Sequence, residues 1–197
     1  MSHFIIPEWD SRGVLPPIYP GVSNTSPLRS PFSVSLLDLV LRFATTEERC
    51  KILCGFLNYR KELHSIGLDT GFQWINGSFV EDIETLQERP PHDIDVVTFF
   101  EVPTGESQAN IVAKCPELFD LHSVKQKYLT DSRFVSLTTV VGTEKRLVER
   151  STYWYSVWAH QKSTFLWKGF LQIDLAPIHD EEARQNLIIA MNGECLS

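Results

Sequence analysis

The 197-residue sequence contains no apolar run that approaches the roughly 20 residues of a membrane span, and no charged-then-apolar leader opens it. We therefore expect a cytoplasmic protein with no membrane partner. Basic residues are also scarce, because 18 Lys and Arg stand against 25 Asp and Glu, giving a net charge of -7. That balance disfavours broad non-specific nucleic-acid binding, which depends on basic surfaces.

Signatures of several enzyme classes are missing. The sequence has no Walker-type phosphate loop, and no Ser/His/Asp or Cys/His arrangement can be argued from its spacing. Cysteines number four, and Cys50 and Cys54 lie four residues apart, but no second Cys or His pair follows at zinc spacing. We expect these cysteines to be buried, reduced thiols.

The composition, 43% hydrophobic and 22% charged, is typical of one sizeable globular domain. Residues 1–31 are rich in Pro, Gly and Ser and contain scattered apolar side chains. This predicts an extended N-terminal arm that lies across the domain or onto a partner. Residues 32–197 are expected to form the domain, including its N-terminal helices.

Helical and strand patterns alternate through residues 32–197, which predicts an α/β or α+β fold. Helices are predicted over residues 32–43, 45–66, 107–129 with a break near Pro116, 144–160 and 180–191. Strands are predicted over residues 72–76, 94–101, 134–141 and 170–175. Thr45 and Glu48 form a candidate capping box, and Gly67 and Gly193 are the expected stops of two helices.

The most informative pattern joins the first two strands. The first strand ends at Gly77 and Ser78, and the second begins with Asp93 and Asp95 on either side of an apolar residue. Alternate residues of a strand face the same side, so the two carboxylates project together. They repel each other unless a cation lies between them, and carboxylate oxygens suit Mg²⁺ or Mn²⁺. Solvation, or pairing with Lys or Arg, is the alternative.

The turn adds phosphate-binding chemistry to this pair. Gly77 has no Cβ, so a phosphate could approach its backbone, and Ser78 could add a hydroxyl group. Together the turn and the acidic pair predict a site for a nucleotide and a metal ion.

This pattern resembles the signature of the polymerase-β-like nucleotidyltransferase superfamily. In this chain it consists of an apolar stretch ending in Gly77-Ser78, a gap of fourteen residues, and Asp93 and Asp95 each followed by an apolar residue. More narrowly, residues 6–10 with 13–17, 76–80 and 167–170 resemble an uncharacterised bacterial branch of that superfamily.

The resemblance implies a small mixed sheet flanked by helices, and Mg²⁺-dependent transfer of a nucleotidyl group from an NTP. Asp93 and Asp95 would hold the metal that bridges the nucleotide phosphates, and Gly77 and Ser78 would cradle those phosphates. The metal would stabilise charge while a hydroxyl attacks the α-phosphate and pyrophosphate leaves. The superfamily holds a second metal with a third carboxylate, on a later strand.

The third carboxylate is not obvious in the sequence. The strand predicted over residues 134–141 contains no Asp or Glu, and Ser136 or Thr138 stands where the acid is expected. Asp174, between two apolar neighbours in the strand predicted over 170–175, is the remaining candidate for a metal ligand and catalytic residue. Its alternative role is to cap the next turn or helix.

Further candidates follow from residue type. Lys168, beside a glycine, could reach a triphosphate as a point charge, or it could be a surface lysine. His92 could touch a phosphate or be an exposed loop residue. Arg150 and neighbouring aromatic and polar residues could form a wall that stacks a base, although helical aromatics usually pack in the core. These neighbours are Tyr153, Trp154, Trp158, His160 and Gln161.

Two functions follow. The first is an enzyme that transfers a nucleotidyl group to an unidentified protein or nucleic-acid acceptor, or forms a small nucleotide product. The second is a catalytically weak or inactive nucleotide-binding module, such as an antitoxin-like or phage-defence component with a protein partner or a second copy of itself. Lack of a third carboxylate would favour the second function.

Overall fold

The computed structural model describes residues 6–138 and 142–194. Within these ranges one five-stranded mixed sheet forms, in the order β1-β5-β2-β3-β4. The strands are β1 (Phe32–Ser33), β2 (Gly71–Asn76), β3 (Ile94–Phe100), β4 (Thr130–Ser136) and β5 (Leu171–Asp174). β2 is antiparallel to β3 and β5, whereas the β1–β5 and β3–β4 pairs are parallel. The predicted α/β (α+β) class is therefore confirmed.

Seven α-helices accompany the sheet in the described ranges. They are α1 (Leu36–Phe43), α2 (Glu47–Ser65), α3 (Ile83–Gln87), α4 (Gln108–Lys114), α5 (Leu121–Tyr128), α6 (Glu144–Trp158) and α7 (Asp180–Glu194). The predicted break near Pro116 is present, because a 3-10 turn over Pro116–Leu118 separates α4 from α5. No helix in the described ranges is long and apolar enough to cross a membrane.

Some helix boundaries differ from the prediction. The first helix begins after β1, because Ser35 caps it and forms a capping box with Asp38. Thr46, and not Thr45, caps α2 by accepting a hydrogen bond from the backbone of Arg49. α7 continues through Gly193, which was expected to end it. The end of α2 before Gly67, where φ is +84°, agrees with the prediction.

β4 begins four residues earlier than predicted. Its first half is polar, with low intrinsic strand propensity, and pairing with β3 along the whole strand overrides that propensity. Leu137 and Thr138 lie beyond the end of β4, and residues 139–141 lie outside the described ranges. This shift changes which side chains the strand can bring to a site.

Different helices pack on the two faces of the sheet. Ile75, Ile94 and Val96 belong to a core shared with α1, α2 and α7. On the opposite face, Trp74 and Val97 pack in a smaller cluster with Trp158 of α6. Trp158 also lines the cleft described below.

The described part of the N-terminal arm, residues 6–31, lies across the domain. Val14 and Leu15 have no exposed surface. The carbonyl of Leu15 accepts a hydrogen bond from the amide of Gly169 at 2.7 Å. The indole of Trp9 donates to the carbonyl of Val80 at 2.8 Å. The arm therefore contacts both the segment that precedes β5 and the segment that follows the Gly77-Ser78 turn.

Candidate functional site

Three carboxylates meet at one end of the sheet. In the strand register Asp95 of β3 lies opposite Asp131 of β4, and opposite Asn76 of β2. Residues in register on neighbouring strands face the same side, and Asp93, two residues before Asp95, shares that side. All three aspartates line a cleft of about 1140 Å³. The Gly77-Ser78 turn lines the same cleft.

Position 77 requires a glycine because the backbone there contacts the side chain of Asp95. Its φ of +83° is rarely adopted by other residues, and a Cβ added to it would lie 1.8 Å from Oδ2 of Asp95. The turn and the carboxylate therefore pack directly against each other. This contact explains why a glycine stands at the end of β2 without reference to any ligand.

Asp95 has an unusual electrostatic environment. Burial, followed by repulsion from Asp93 and Asp131, raises the pKa of its carboxyl group to about 6. Asp95 is therefore largely ionised at neutral pH, although the charged form is costly there. A cation that entered the cleft would relieve this cost.

Protein cations already contact the carboxylates. The ammonium group of Lys125, on α5, forms an ion pair with Asp93 and lies 3.7 Å from Oδ2 of Asp131. Arg133 donates to Oδ1 of Asp131 at 2.5 Å. Asp93 and Asp131 thus already bind positive charge, and the charges of Lys168 and Lys125 also act on Asp95.

The carboxylates provide oxygen atoms but do not form a metal site in this arrangement. Among the described residues, no group of three or more His, Cys, Asp or Glu side chains is placed so that it could hold a metal ion. Asp93 and Asp131 are instead turned toward Lys125 and Arg133. Because the Lys125 side chain is 51% exposed, it can withdraw into solvent. The oxygen atoms that it leaves are the ligands that Mg²⁺ and Mn²⁺ prefer.

Lys168 supports the turn from inside the protein. It is only 3% exposed, which contradicts the surface-lysine alternative. Its ammonium forms an ion pair with the buried Glu81 and donates to the carbonyl of Gly77 at 3.2 Å. Burial lowers the pKa of Lys168, and the charge of Glu81 opposes this effect. The ammonium is thus engaged by the protein beside the turn, although Lys168 also lines the cleft.

Residues 7–174 match the model of a family described as "Family of unknown function (DUF6932)". The chain belongs to this family. No curated protein and no solved structure matches. The matched span runs from the N-terminal arm to the last residue of β5, so it contains the turn, all three carboxylates and Lys168.

Asp174 is not brought into the site. It pairs with Phe72, near the opposite end of β2 from Asn76. Phe72 and Asn76 are four residues apart along β2, which is roughly 13 Å. Oδ1 of Asp174 accepts a hydrogen bond from the amide of Ala176 at 2.8 Å, so the side chain caps the following turn. This correction removes Asp174 from the expected set of metal ligands.

Asp131 is the site residue that sequence reasoning missed. The reason was the late start assigned to β4, which left Asp131 outside the strand. The available signal was the spacing of Asp131, Arg133 and Val135, which alternate with the residues of the opposite face as in other strands. Starting β4 at Thr130 places an acid directly beside Asp95.

The remaining candidates divide between cleft and surface. Trp154, Trp158, His160 and Gln161 line the cleft, with Trp158 only 7% exposed and packed in the core. His92, Arg150 and Tyr153 are exposed and are not among the cleft residues. Cys50 is buried on α2, as expected, and Cys54 is half-buried.

Proposed function

We propose that this protein is a Mg²⁺- or Mn²⁺-dependent nucleotidyltransferase of the polymerase-β-like superfamily, acting on an NTP and an acceptor in the cytoplasm. The observation that carries the proposal is the position of Asp131, in register with Asp95 and across from the Gly77-Ser78 turn. A third carboxylate on the strand after the acidic pair is what the superfamily pattern requires. The sequence offered only Asp174 as a candidate for this residue, and the position of Asp131 on β4, beside Asp95, supports the proposal.

Each residue has a role that its surroundings support. Asp93, Asp95 and Asp131 would hold the cation, which when bound would neutralise phosphate charge and favour departure of pyrophosphate. Gly77 leaves its backbone open to a phosphate, and Ser78 adds a hydroxyl group beside it. The pKa of Asp95 is about 6, so this carboxyl group is ionised at neutral pH and its charge is available to the cation.

The proposed acceptor is a protein, a nucleic acid or a small molecule, and it binds at the cleft itself and not along an extended surface. The net charge of -7 disfavours a long basic track for nucleic acid. Positive charge is nevertheless present at the cleft itself, where Arg89, Arg133 and Lys162 are found. These side chains can offset the charge of a triphosphate.

The inactive-module alternative loses its main support. It rested on a missing third acid, and Asp131 supplies one. Within that alternative, Lys125 and Arg133 would be permanent partners of the carboxylates, and no divalent cation would enter. Measurement of transfer by the wild-type protein and by carboxylate variants separates the two functions.

The test is nucleotidyl transfer by the purified full chain. Each of the four α-³²P-labelled NTPs is supplied with Mg²⁺ or Mn²⁺ and with cell protein and RNA as acceptors, and both label transfer and pyrophosphate release are followed. Asp95→Asn and Asp131→Asn should each lower the rate by roughly a hundredfold or more, because each removes charge that holds the cation.

Asp174→Asn is the matched control, since it makes the same chemical change on an exposed residue outside the cleft. It should leave the rate unchanged. Equal rates for the wild type, Asp95→Asn and Asp131→Asn would contradict the proposed function. Nucleotide binding by the wild type without any labelled product would favour the inactive nucleotide-binding module, and absence of nucleotide binding would contradict both functions.

A further inference from the structure

The segment after α6 presents an aromatic ring that the protein core does not use. Phe165 is 79% exposed, and it lines the same cleft as the three carboxylates. Because the phenyl ring is not buried in the free protein, it contributes little hydrophobic stabilisation to the fold. It is therefore a surface available to whatever enters the cleft.

The backbone of Phe165 is held in an unfavourable conformation. Its φ of +57° lies in the left-handed region, which is unfavourable for a residue other than glycine. Such residues persist where their surroundings determine the backbone, and they concentrate at functional sites. Here the amide of Phe165 donates to the carbonyl of Gln161 at 2.9 Å, and the amide of Gln161 donates to the carbonyl of Leu166 at 2.8 Å.

The hydrogen bonds that support this segment also support the Gly77-Ser78 turn. The side-chain amide of Gln161 donates to Oε2 of Glu81 at 2.8 Å, and the other oxygen of Glu81 pairs with Lys168. Lys168 in turn donates to the carbonyl of Gly77. Glu81, Gln161 and Lys168 are all buried, so this network fixes the backbone that carries Phe165 relative to the turn.

We infer that Phe165 is the platform on which the nucleobase of the NTP stacks, an assignment that rests on the proposed function. A substrate with a planar base at one end and a triphosphate at the other matches a cleft that offers an exposed ring, a glycine turn and carboxylates. Stacking on an aromatic ring accepts every base, because each base has a π-face. Phe165 therefore contributes affinity for the base and none for the phosphates.

The experiment compares a nucleotide with its phosphate portion alone. The four α,β-methylene nucleoside triphosphates and inorganic tripolyphosphate are titrated with Mg²⁺ into the full chain by calorimetry. Phe165→Asn removes the ring and keeps a residue that tolerates positive φ. It should weaken nucleotide binding about five- to thirtyfold, and leave tripolyphosphate binding unchanged. Phe165→Trp should keep the wild-type affinity for nucleotides.

Ile178→Asn is the matched control, because Ile178 is a similarly exposed apolar residue, 71% exposed, outside the cleft. It should change neither affinity. Equal nucleotide affinities of the wild type and Phe165→Asn would overturn the assignment of Phe165 alone. Equal loss of tripolyphosphate and nucleotide affinity would also overturn it, because the segment would then act on the phosphates. If no nucleotide binds the wild type, the proposed function and this inference both fail.

Discussion

The ionised form of Asp95 is energetically unfavourable in the metal-free folded protein. Its carboxyl group has a pKa of about 6 in the folded protein, because of burial and of the neighbouring Asp93 and Asp131, against an ordinary value of 3.8. The folded state therefore binds more protons than the unfolded state between about pH 4 and pH 6. Stability contributed by this group falls as pH rises through that interval, and it stays low at neutral pH.

Replacement of this charge should stabilise the metal-free protein. With EDTA present, Asp95→Asn should unfold at higher urea concentration than the wild type at pH 7.5, by a free energy of about 1–3 kcal/mol. The difference should shrink toward zero near pH 4, where the wild-type carboxyl is also neutral. Urea unfolding at pH 4, 5, 6 and 7.5 measures it.

Asp174→Asn provides the comparison, since this aspartate is exposed and lies away from the other carboxylates. Its stability relative to the wild type should not follow the same curve between pH 4 and pH 6. A difference between Asp95→Asn and the wild type that stayed constant with pH would show that the substitution acts through packing and not through charge.

At this scale the sequence predicted part of the site. Asp93 and Asp95 could be found because two acids one residue apart share a face of any strand, whatever the strand pairs with. Asp131 could not be found in the same way, because its place depends on the register between β3 and β4. Lys168 was identified as a site residue, but its burial against Glu81 depends on contacts between distant segments.

At the scale of elements, the approach of α2 to α5 positions one side of the site. Gly55 of α2 faces the end of α5, where a Cβ would lie 2.2 Å from the carbonyl oxygen of Tyr128. Tyr128 is the last residue of α5, and β4 begins two residues later. Lys125 and Asp131 are on either side of this contact, so the position of both depends on it.

Gly55→Ala sets helix propensity against packing. Propensity alone predicts a gain of about 1 kcal/mol, because alanine suits a helix interior better than glycine. A Cβ at 2.2 Å from a backbone oxygen must displace the end of α5, and overpacking of this kind costs about 1–3 kcal/mol. We expect packing to dominate, so the free energy of unfolding from urea titration should fall.

Gly193→Ala makes the same change in α7, where a Cβ would meet nothing within 4 Å. It should be neutral or slightly stabilising. If Gly55→Ala matched Gly193→Ala in stability, the close approach of α2 and α5 would be refuted.

Elements with strong local signals were the ones that sequence patterns predicted well. The end of α2 before Gly67 and the break at Pro116 follow from single residues, because Gly67 accepts a positive φ and Pro116 has a fixed φ. β1 was missed because its two residues form a strand only by pairing with β5. Phe32 of β1 pairs with Leu171, which lies 139 residues later in the chain. The start of β4 was missed for the same reason. Its polar residues form a strand only because they pair with β3.

At the scale of the whole molecule, the N-terminal arm belongs to the same packed core as the sheet. Leu15 and Phe32 belong to one cluster with Ile75 and Val96. Gly169 packs so closely on the arm that a Cβ would lie 2.6 Å from the carbonyl oxygen of Pro16. Gly169 follows Lys168, so the arm helps to hold the residue that supports the Gly77 turn.

Leu15→Ala tests whether the arm unfolds together with the rest of the described chain. Leu15 has no exposed surface, and truncation of a buried leucine to alanine costs about 2–5 kcal/mol. Because the arm and the sheet share one core, the whole cost should appear as a lower midpoint of one transition. Far-UV circular dichroism and tryptophan fluorescence should report the same midpoint, with the urea dependence of the wild type.

Leu41→Ala is the control for loss of the same side chain at a surface, since Leu41 on α1 is 63% exposed. Its midpoint should stay near that of the wild type. An arm that was only laid on a finished domain would behave differently: Leu15→Ala would then release Trp9 in an early fluorescence transition while the circular dichroism midpoint stayed unchanged. A single core requires coincident transitions at a lower midpoint, because the loss of contacts to Leu15 destabilises the arm and the sheet together.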